Sequence, residues 1–215
     1  MHALIIASGD LPRSSLVRKL ARSAGLVVCA DGGARHAMRL GITPDAILGD
    51  LDSLSRAARR HFRDVPVIFI ADQDSTDLEK AVGFCLGRNF RSVHAVGTFG
   101  SRIDHTTGSL GCFRKFAPGV LLTLHDREGS LSLLPRRSRL KTAKGERLSL
   151  IPLERSEGIT TKNLRYALKD EVLELGVREG ISNEAMGATV ALSYRKGTLL
   201  VYRFHGRAEP KGRRS

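Results

Sequence analysis

Short apolar runs separated by longer segments of helical period fill the chain from Met1 to about Asp126, and this alternation constrains the fold more than any other feature. It is the signature of βαβ units and a parallel sheet. The predicted strands are 3–7, 26–30, 46–48, 67–70, 93–96 and 120–124. Leu16, Leu20 and Ala24 mark the apolar face of a first helix, and Thr76-x-x-Glu79 is a capping box opening another through Leu78, Ala81, Val82, Cys85 and Leu86. A further helix is expected from about His105 to Phe116. After Asp126 the texture changes to short β-like runs broken by Gly, Ser and charged residues. Arg195-Lys196-Gly197 there separates 190–194 from 199–204 and predicts a hairpin. The expectation is an α/β protein: a parallel-sheet, Rossmann-like domain over 1–127, a smaller all-β domain over 128–206, and a basic flexible tail over 207–215.

At 215 residues with 41% apolar content, the chain can fill a real core. Its longest apolar stretches, such as 26–30 and 67–71, are far short of the roughly 20 residues that span a bilayer, so no membrane association is expected. The start, Met1-His2-Ala3-Leu4-Ile5-Ile6, reads as a buried strand and not as a signal peptide. Cys29, Cys85 and Cys112 are odd in number, widely spaced and set among apolar residues, which fits core packing in a reducing cytoplasm. The formal net charge of +13 admits nucleic acid, an anionic membrane or a polyphosphate as partner. Its clusters are Arg136, Arg137, Arg139, Lys141, Lys144 and Arg147 in one segment, and Arg203, Arg207, Lys211, Arg213 and Arg214 near the end. Aromatics are only 5% and do not interleave with either cluster, which argues against specific nucleic-acid binding.

The chemistry-bearing residues follow the strands. Gly49-Asp50-Leu51-Asp52-Ser53 closes the third strand, and in extended backbone Asp50 and Asp52 project to one face. Such a pair is either a solvated turn with a helix cap or a seat for a hard cation such as Mg²⁺. Asp72-Gln73-Asp74-Ser75-Thr76-Asp77 is a second acidic cluster after the fourth strand, and ligands of open α/β sheets gather outside the carboxyl ends of the strands. Lys80 shares a helix face with Asp77, to pair with it or to meet a phosphate. Asp31-Gly32-Gly33-Ala34 opens a helix whose amides can face an anion. Gly97 to His105 repeats the arrangement, with Arg102 able to grip phosphate bidentately and His105 open to a base, ligand or local structural role. No P-loop and no G-x-G-x-x-G occurs.

Together, Ala30-Asp31-Gly32-Gly33-Ala34, Gly49-Asp50-Leu51-Asp52-Ser53, the run Asp72 to Ala81, and Arg102-Ile103-Asp104-His105 resemble the ordered motifs of the thiamine pyrophosphokinase family. Gly180-Ile181-Ser182-Asn183 extends the resemblance into the second domain. The resemblance implies an ATP-binding α/β domain, a β-sandwich, and a homodimer holding thiamine at the subunit interface. It implies Asp50, Asp52 and Asp77 as Mg²⁺ ligands, and Gln73, Ser182 and Asn183 as thiamine-binding residues. Asp31, Gly32, Gly33, Lys80, Arg102 and His105 would line the nucleotide site, with Asp104 beside the transfer. Ser101 and Ser109 stand where the family usually has glycine and asparagine, and the chain has no Trp to stack on thiamine. The activity so implied is pyrophosphoryl transfer from ATP to thiamine. The alternatives are another hydroxymethyl heterocycle, such as a pterin alcohol, as acceptor, or a basic nucleic-acid-binding protein.

Overall fold

The computed structural model describes residues 1–49, 55–72, 74–100, 102–117 and 119–207, and divides into two compact units, Met1–Arg127 and Glu128–Ser215. In the first unit six strands, β1 (His2–Ile6), β2 (Ala24–Ala30), β3 (Ala46–Gly49), β4 (Val67–Phe69), β5 (Ser92–Val96) and β6 (Leu121–His125), pair in parallel in the order β6-β5-β1-β2-β3-β4. All six expected strands are present. The chain steps outward from β1 to β4 and then returns to the other side of β1 as β5, so the connections reverse direction between β1 and β5. That reversal opens a crevice at the carboxyl ends of these two strands.

Helices α1 (Ser14–Ser23), α2 (Gly33–Leu40), α3 (Arg56–His61), α4 (Asp77–Gly87) and α5 (Ile103–Phe116) connect the strands. The Thr76 hydroxyl accepts from Glu79 N and the Glu79 carboxylate accepts from Thr76 N, completing the expected capping box of α4. The six-residue helix α3 has no apolar period long enough to announce it; Ser55 caps it by accepting from Ala58 N. Leu4, Ile6, Val27, Cys29 and Ile47 from the sheet pack with Val17, Ala34, Ala37 and Phe62 into one core. Cys29, Cys85 and Cys112 are free and buried, and burial pushes each thiol up to about 12, so they are inert filling.

The second unit consists of two antiparallel sheets. Strands β7 (Gly129–Leu133), β9 (Glu146–Pro152), β12 (Gly180–Glu184) and β14 (Leu199–Arg207) pair in the order β12-β9-β14-β7. Strands β8 (Arg137–Lys141), β10 (Ser156–Lys162), β11 (Glu171–Leu173) and β13 (Thr189–Ser193) pair as β11-β10-β13-β8. Leu148, Leu150, Leu199 and Val201 from one sheet meet Ile159, Leu173, Val190 and Leu192 from the other, which makes the unit a sandwich.

The expected hairpin is not formed. Its two strands exist, but β13 pairs with β8 and β10 while β14 pairs with β7 and β9. The intervening Arg195-Lys196-Gly197 bonds to the start of β10, through Arg195 N to Glu157 O (2.9 Å) and Glu157 N to Lys196 O (3.0 Å). Gly197, at φ +95°, leaves no room for a Cβ beside the Arg155 carbonyl, and there the chain passes from one sheet to the other. Strand β14 also runs on to Arg207, past the expected end of its apolar run, because His205 N donates to Glu128 O (2.6 Å) and Arg207 pairs with Glu146. Residues 208–215 of the expected tail lie outside the described residues.

Candidate active site

A cleft of about 570 Å³ lies at the carboxyl ends of β1, β2 and β5 and at the start of α4, entirely within the first unit. Its floor is made by two loops laid against each other. Ala7 N donates to Val96 O (2.8 Å), Gly9 N to Gly97 O (2.8 Å) and Asp10 N to Phe99 O (2.6 Å), stitching the β1 loop to the β5 loop. Gly97 sits at φ +71°, and a Cβ there would lie 2.4 Å from Ala7 O, so the position admits no larger residue without moving the floor. His36 of α2 holds the β1 loop from behind, Nε2 donating to Gly9 O (3.0 Å). Ser109 fastens α5 to the β5 loop, its hydroxyl 2.9 Å from Thr98 O and 2.9 Å from His105 O.

Ser8 and Gly9 line the cleft too, though none of the sequence motifs named above includes them. The signal was nonetheless present: Ala7-Ser8-Gly9-Asp10 is a polar, glycine-bearing loop directly after a strand, like the loops after β2 and β5.

Asp31 lines the cleft from the end of β2. It is buried and adopts φ +42°, a left-handed conformation to which aspartate is better suited than most residues, with Asp31 N donating to Leu48 O (2.6 Å). Gly32 and Gly33, expected to face the nucleotide, do not line the cleft. They start α2 behind it, and a Cβ at Gly33 would lie 1.9 Å from Ile6 O, so Gly33 serves the close approach of helix to strand.

The β4–α4 connection supplies Asp72, Ser75, Thr76, Asp77 and Lys80 to the same cleft. Asp72 accepts from the Ser75 hydroxyl and from Asp74 N (2.9 Å), and these bonds hold its carboxyl below the usual range. Asp77 is the first residue of α4, and Lys80 Nζ lies 3.8 Å from its Oδ1. The Lys80 side chain is only 6% exposed against 40% for Asp77, an ammonium drawn into the wall of the cleft.

Arg102 and His105 complete the rim, with Asp104 between them in sequence. Arg102 Nε donates to Asp104 Oδ1 (3.2 Å) and its Nη2 to Oδ2, a bidentate pair that pulls the Asp104 carboxyl down to about 2. A carboxylate so held is a poor proton acceptor at neutral pH and acts by orienting the guanidinium. The Thr98 hydroxyl is buried in the cleft wall without a hydrogen-bond partner among the described residues.

Asp50, Asp52 and Gln73 lie outside the described residues, and no group of three His, Cys, Asp or Glu able to hold a metal occurs among the described ones. What is described suits a hard cation: the acidic residues at the cleft, Asp31, Asp72 and Asp77, offer oxygen donors only. In the second unit, Ser182 is exposed at φ +58° on β12, its N donating to Ser149 Oγ (3.0 Å). Asn183 is buried. Its Oδ1 accepts from Tyr166 N (3.0 Å) and Glu184 N (2.9 Å), and its Nδ2 donates to Tyr166 O (2.8 Å), so its amide clamps the adjoining backbone.

Two family models match the chain: the catalytic domain of thiamin pyrophosphokinase over residues 17–120 and its vitamin B1 binding domain over residues 135–199. Thiamine pyrophosphokinase 1 of Oryza sativa subsp. japonica is 27% identical over 222 residues, spanning 89% of this chain and 83% of that protein. Thiamine pyrophosphokinase of Bacillus subtilis (strain 168) is 27% identical over 186 residues, spanning 83% of this chain and 86% of that protein. The crystal structure of thiamin pyrophosphokinase from Geobacillus thermodenitrificans superimposes with a TM-score of 0.82 at 25% identity, covering 96% of this chain and 98% of that one.

Proposed function

Because the chain belongs to the thiamin pyrophosphokinase family, we propose that it transfers the pyrophosphoryl group of ATP to the hydroxyl of thiamine, giving thiamine diphosphate and AMP. The observation that carries this reading is the cleft at the β1/β5 reversal, where cationic and carboxylate groups meet on a glycine-bearing floor. The hydroxyl oxygen attacks the β-phosphorus and AMP leaves, a displacement that needs positioning and charge neutralisation more than covalent help. Lys80 and Arg102 offset the negative charge of the phosphates. Asp104 holds Arg102 in a fork geometry, and the buried Thr98 hydroxyl and His105 offer further polar contacts to the nucleotide.

In this proposal Asp50, Asp52 and Asp77 would hold Mg²⁺, which would supply positive charge to offset that of the phosphates. Gln73 and Ser182 contact thiamine, and Asn183 supports that contact by fixing the backbone at Tyr166. A homodimer belongs to the same proposal. Its support in the second unit is a set of exposed apolar side chains, Tyr166, Leu175, Val177, Ile181 and Met186. Residence in the cytoplasm fits the three free thiols; among the described residues no helix is long and apolar enough to cross a membrane.

The direct test is AMP release from ATP and Mg²⁺, followed chromatographically with and without thiamine. AMP must appear with thiamine diphosphate in equal amounts. Thiamine-independent release, or equal release with a pterin alcohol, would overturn the acceptor assignment.

A further inference from the structure

A second concavity, about 370 Å³, lies on the second unit, on the face of the β11-β10-β13-β8 sheet turned away from the sandwich core. Burial alternates along β8 and β13, and along β10 from Ile159 onward: Leu140, Val190, Leu192 and Ile159 point into the core, and Arg137, Arg139, Ala191, Ser193, Thr160 and Lys162 point out. Register sets the outward residues in rows across the sheet. Arg139 pairs with Ala191, which pairs with Lys162; Arg137 pairs with Ser193, which pairs with Thr160; and Lys141 pairs with Thr189. The result is a trough with small residues as its floor, arginines along one side and a lysine on the other.

We propose that this trough binds a linear oligophosphate anion, laid over β13 between the arginines of β8 and Lys162. Charge complementarity is the argument. Among the described residues Arg137, Arg139, Lys141 and Lys162 form no ion pair, whereas on the β11 side of the same sheet Arg178 pairs with Glu171 and Arg195 with Asp170. One side of the sheet is neutralised from within the chain and the other is left to an external anion.

Spacing fits as well. Arg137 and Arg139 are two residues apart on one face, roughly 6.7 Å, and Arg139 and Lys162 are two strands apart, roughly 9.5 Å, so a chain of two or three phosphates can touch both sides. Guanidinium forks bind phosphate oxygens bidentately, and the Ser193 and Thr160 hydroxyls can add bonds from the floor. No aromatic ring lines the trough, so a base has nothing to stack on and recognition rests on phosphate. Charges on an edge strand can serve simply to deter strand pairing, which would account for β8. It does not account for Lys162, because β10 is an interior strand between β11 and β13.

The test is calorimetric titration of the full chain with inorganic tripolyphosphate in the absence of divalent cations. The wild type should show a binding event that weakens as salt is raised. The double variant Arg139→Gln/Lys162→Gln should weaken that event about tenfold or more while thiamine-dependent AMP release is unchanged, and Arg139→Thr/Lys162→Thr, which keeps strand propensity, should do the same. Arg102→Ala, at the cleft of the first unit, should leave the event in place. Equal affinity in wild type and a folded double variant would overturn the proposal. So would loss of the event in Arg102→Ala alone, or binding of a DNA duplex with no response to tripolyphosphate.

Discussion

Replacing Lys80 by methionine should remove thiamine-dependent AMP release almost completely while leaving the resting protein as stable as before, or slightly more so. The side chain is 6% exposed, and its ion-pair partner among the described residues, Asp77, stands 3.8 Å away. At an effective dielectric of 20 that attraction is about 4 kcal/mol. Asp77 is 40% exposed, so solvent screening cuts the net value to ~1 kcal/mol. Against this, withdrawing the ammonium from water costs at least about as much, and a cation in the first turn of α4 opposes the helix dipole by about 0.3–1 kcal/mol more. Methionine keeps the apolar stem and discards the charge, so its effect on unfolding free energy should fall between no change and a gain of ~1 kcal/mol. Loss of a cation that acts on the transferring phosphates should cost about 10²-fold or more in turnover. Urea unfolding without nucleotide and a coupled AMP assay at saturating Mg²⁺ read the two quantities separately. Residual activity above about a tenth of wild type, or a stability loss above ~2 kcal/mol, would refute the argument.

Burial, followed by the charge of neighbouring His2, lowers the His94 pKa to about 4, so between pH 6.5 and 4 the unfolded chain binds the extra proton and stability must fall as the pH falls. With its partial exposure discounted, the loss is ~1–2 kcal/mol, and urea midpoints at pH 7.5 and 5 should differ less in His94→Gln than in the wild type. Gly33→Ala should destabilise by about 2 kcal/mol or more in chemical denaturation, since its Cβ would lie 1.9 Å from Ile6 O. Asn183→Ala strands the backbone groups of Tyr166 and should cost about 2 kcal/mol in thermal unfolding, whereas Ser182→Ala should leave stability within ~0.5 kcal/mol and weaken thiamine binding by titration. Equal stability losses for the two would remove the distinction between clamp and contact.

Much of this could be read from the sequence alone. The six parallel strands, the capping box of α4 and the run of polar, glycine-bearing loops after the strands are set by local periodicity and by chemistry acting over a few residues. That is why Asp31, Asp77, Lys80, Arg102 and His105 could be singled out, and the cleft does gather them. Three things required the tertiary structure. The pairing of β13 and β14 went to different sheets, because an apolar strand bounded by a glycine turn looks alike whether its partner is the next strand or one far back in the chain, such as β8 or β7. Gly33 and Asn183 turned out to serve packing and backbone satisfaction, since their partners, Ile6 and Tyr166, are distant in sequence. The Ser8-Gly9 loop and the basic trough on β8, β13 and β10 exist only where register sets separate segments side by side. Local pattern determines what each segment becomes, and long-range packing, which depends on the whole chain at once, decides what each segment meets.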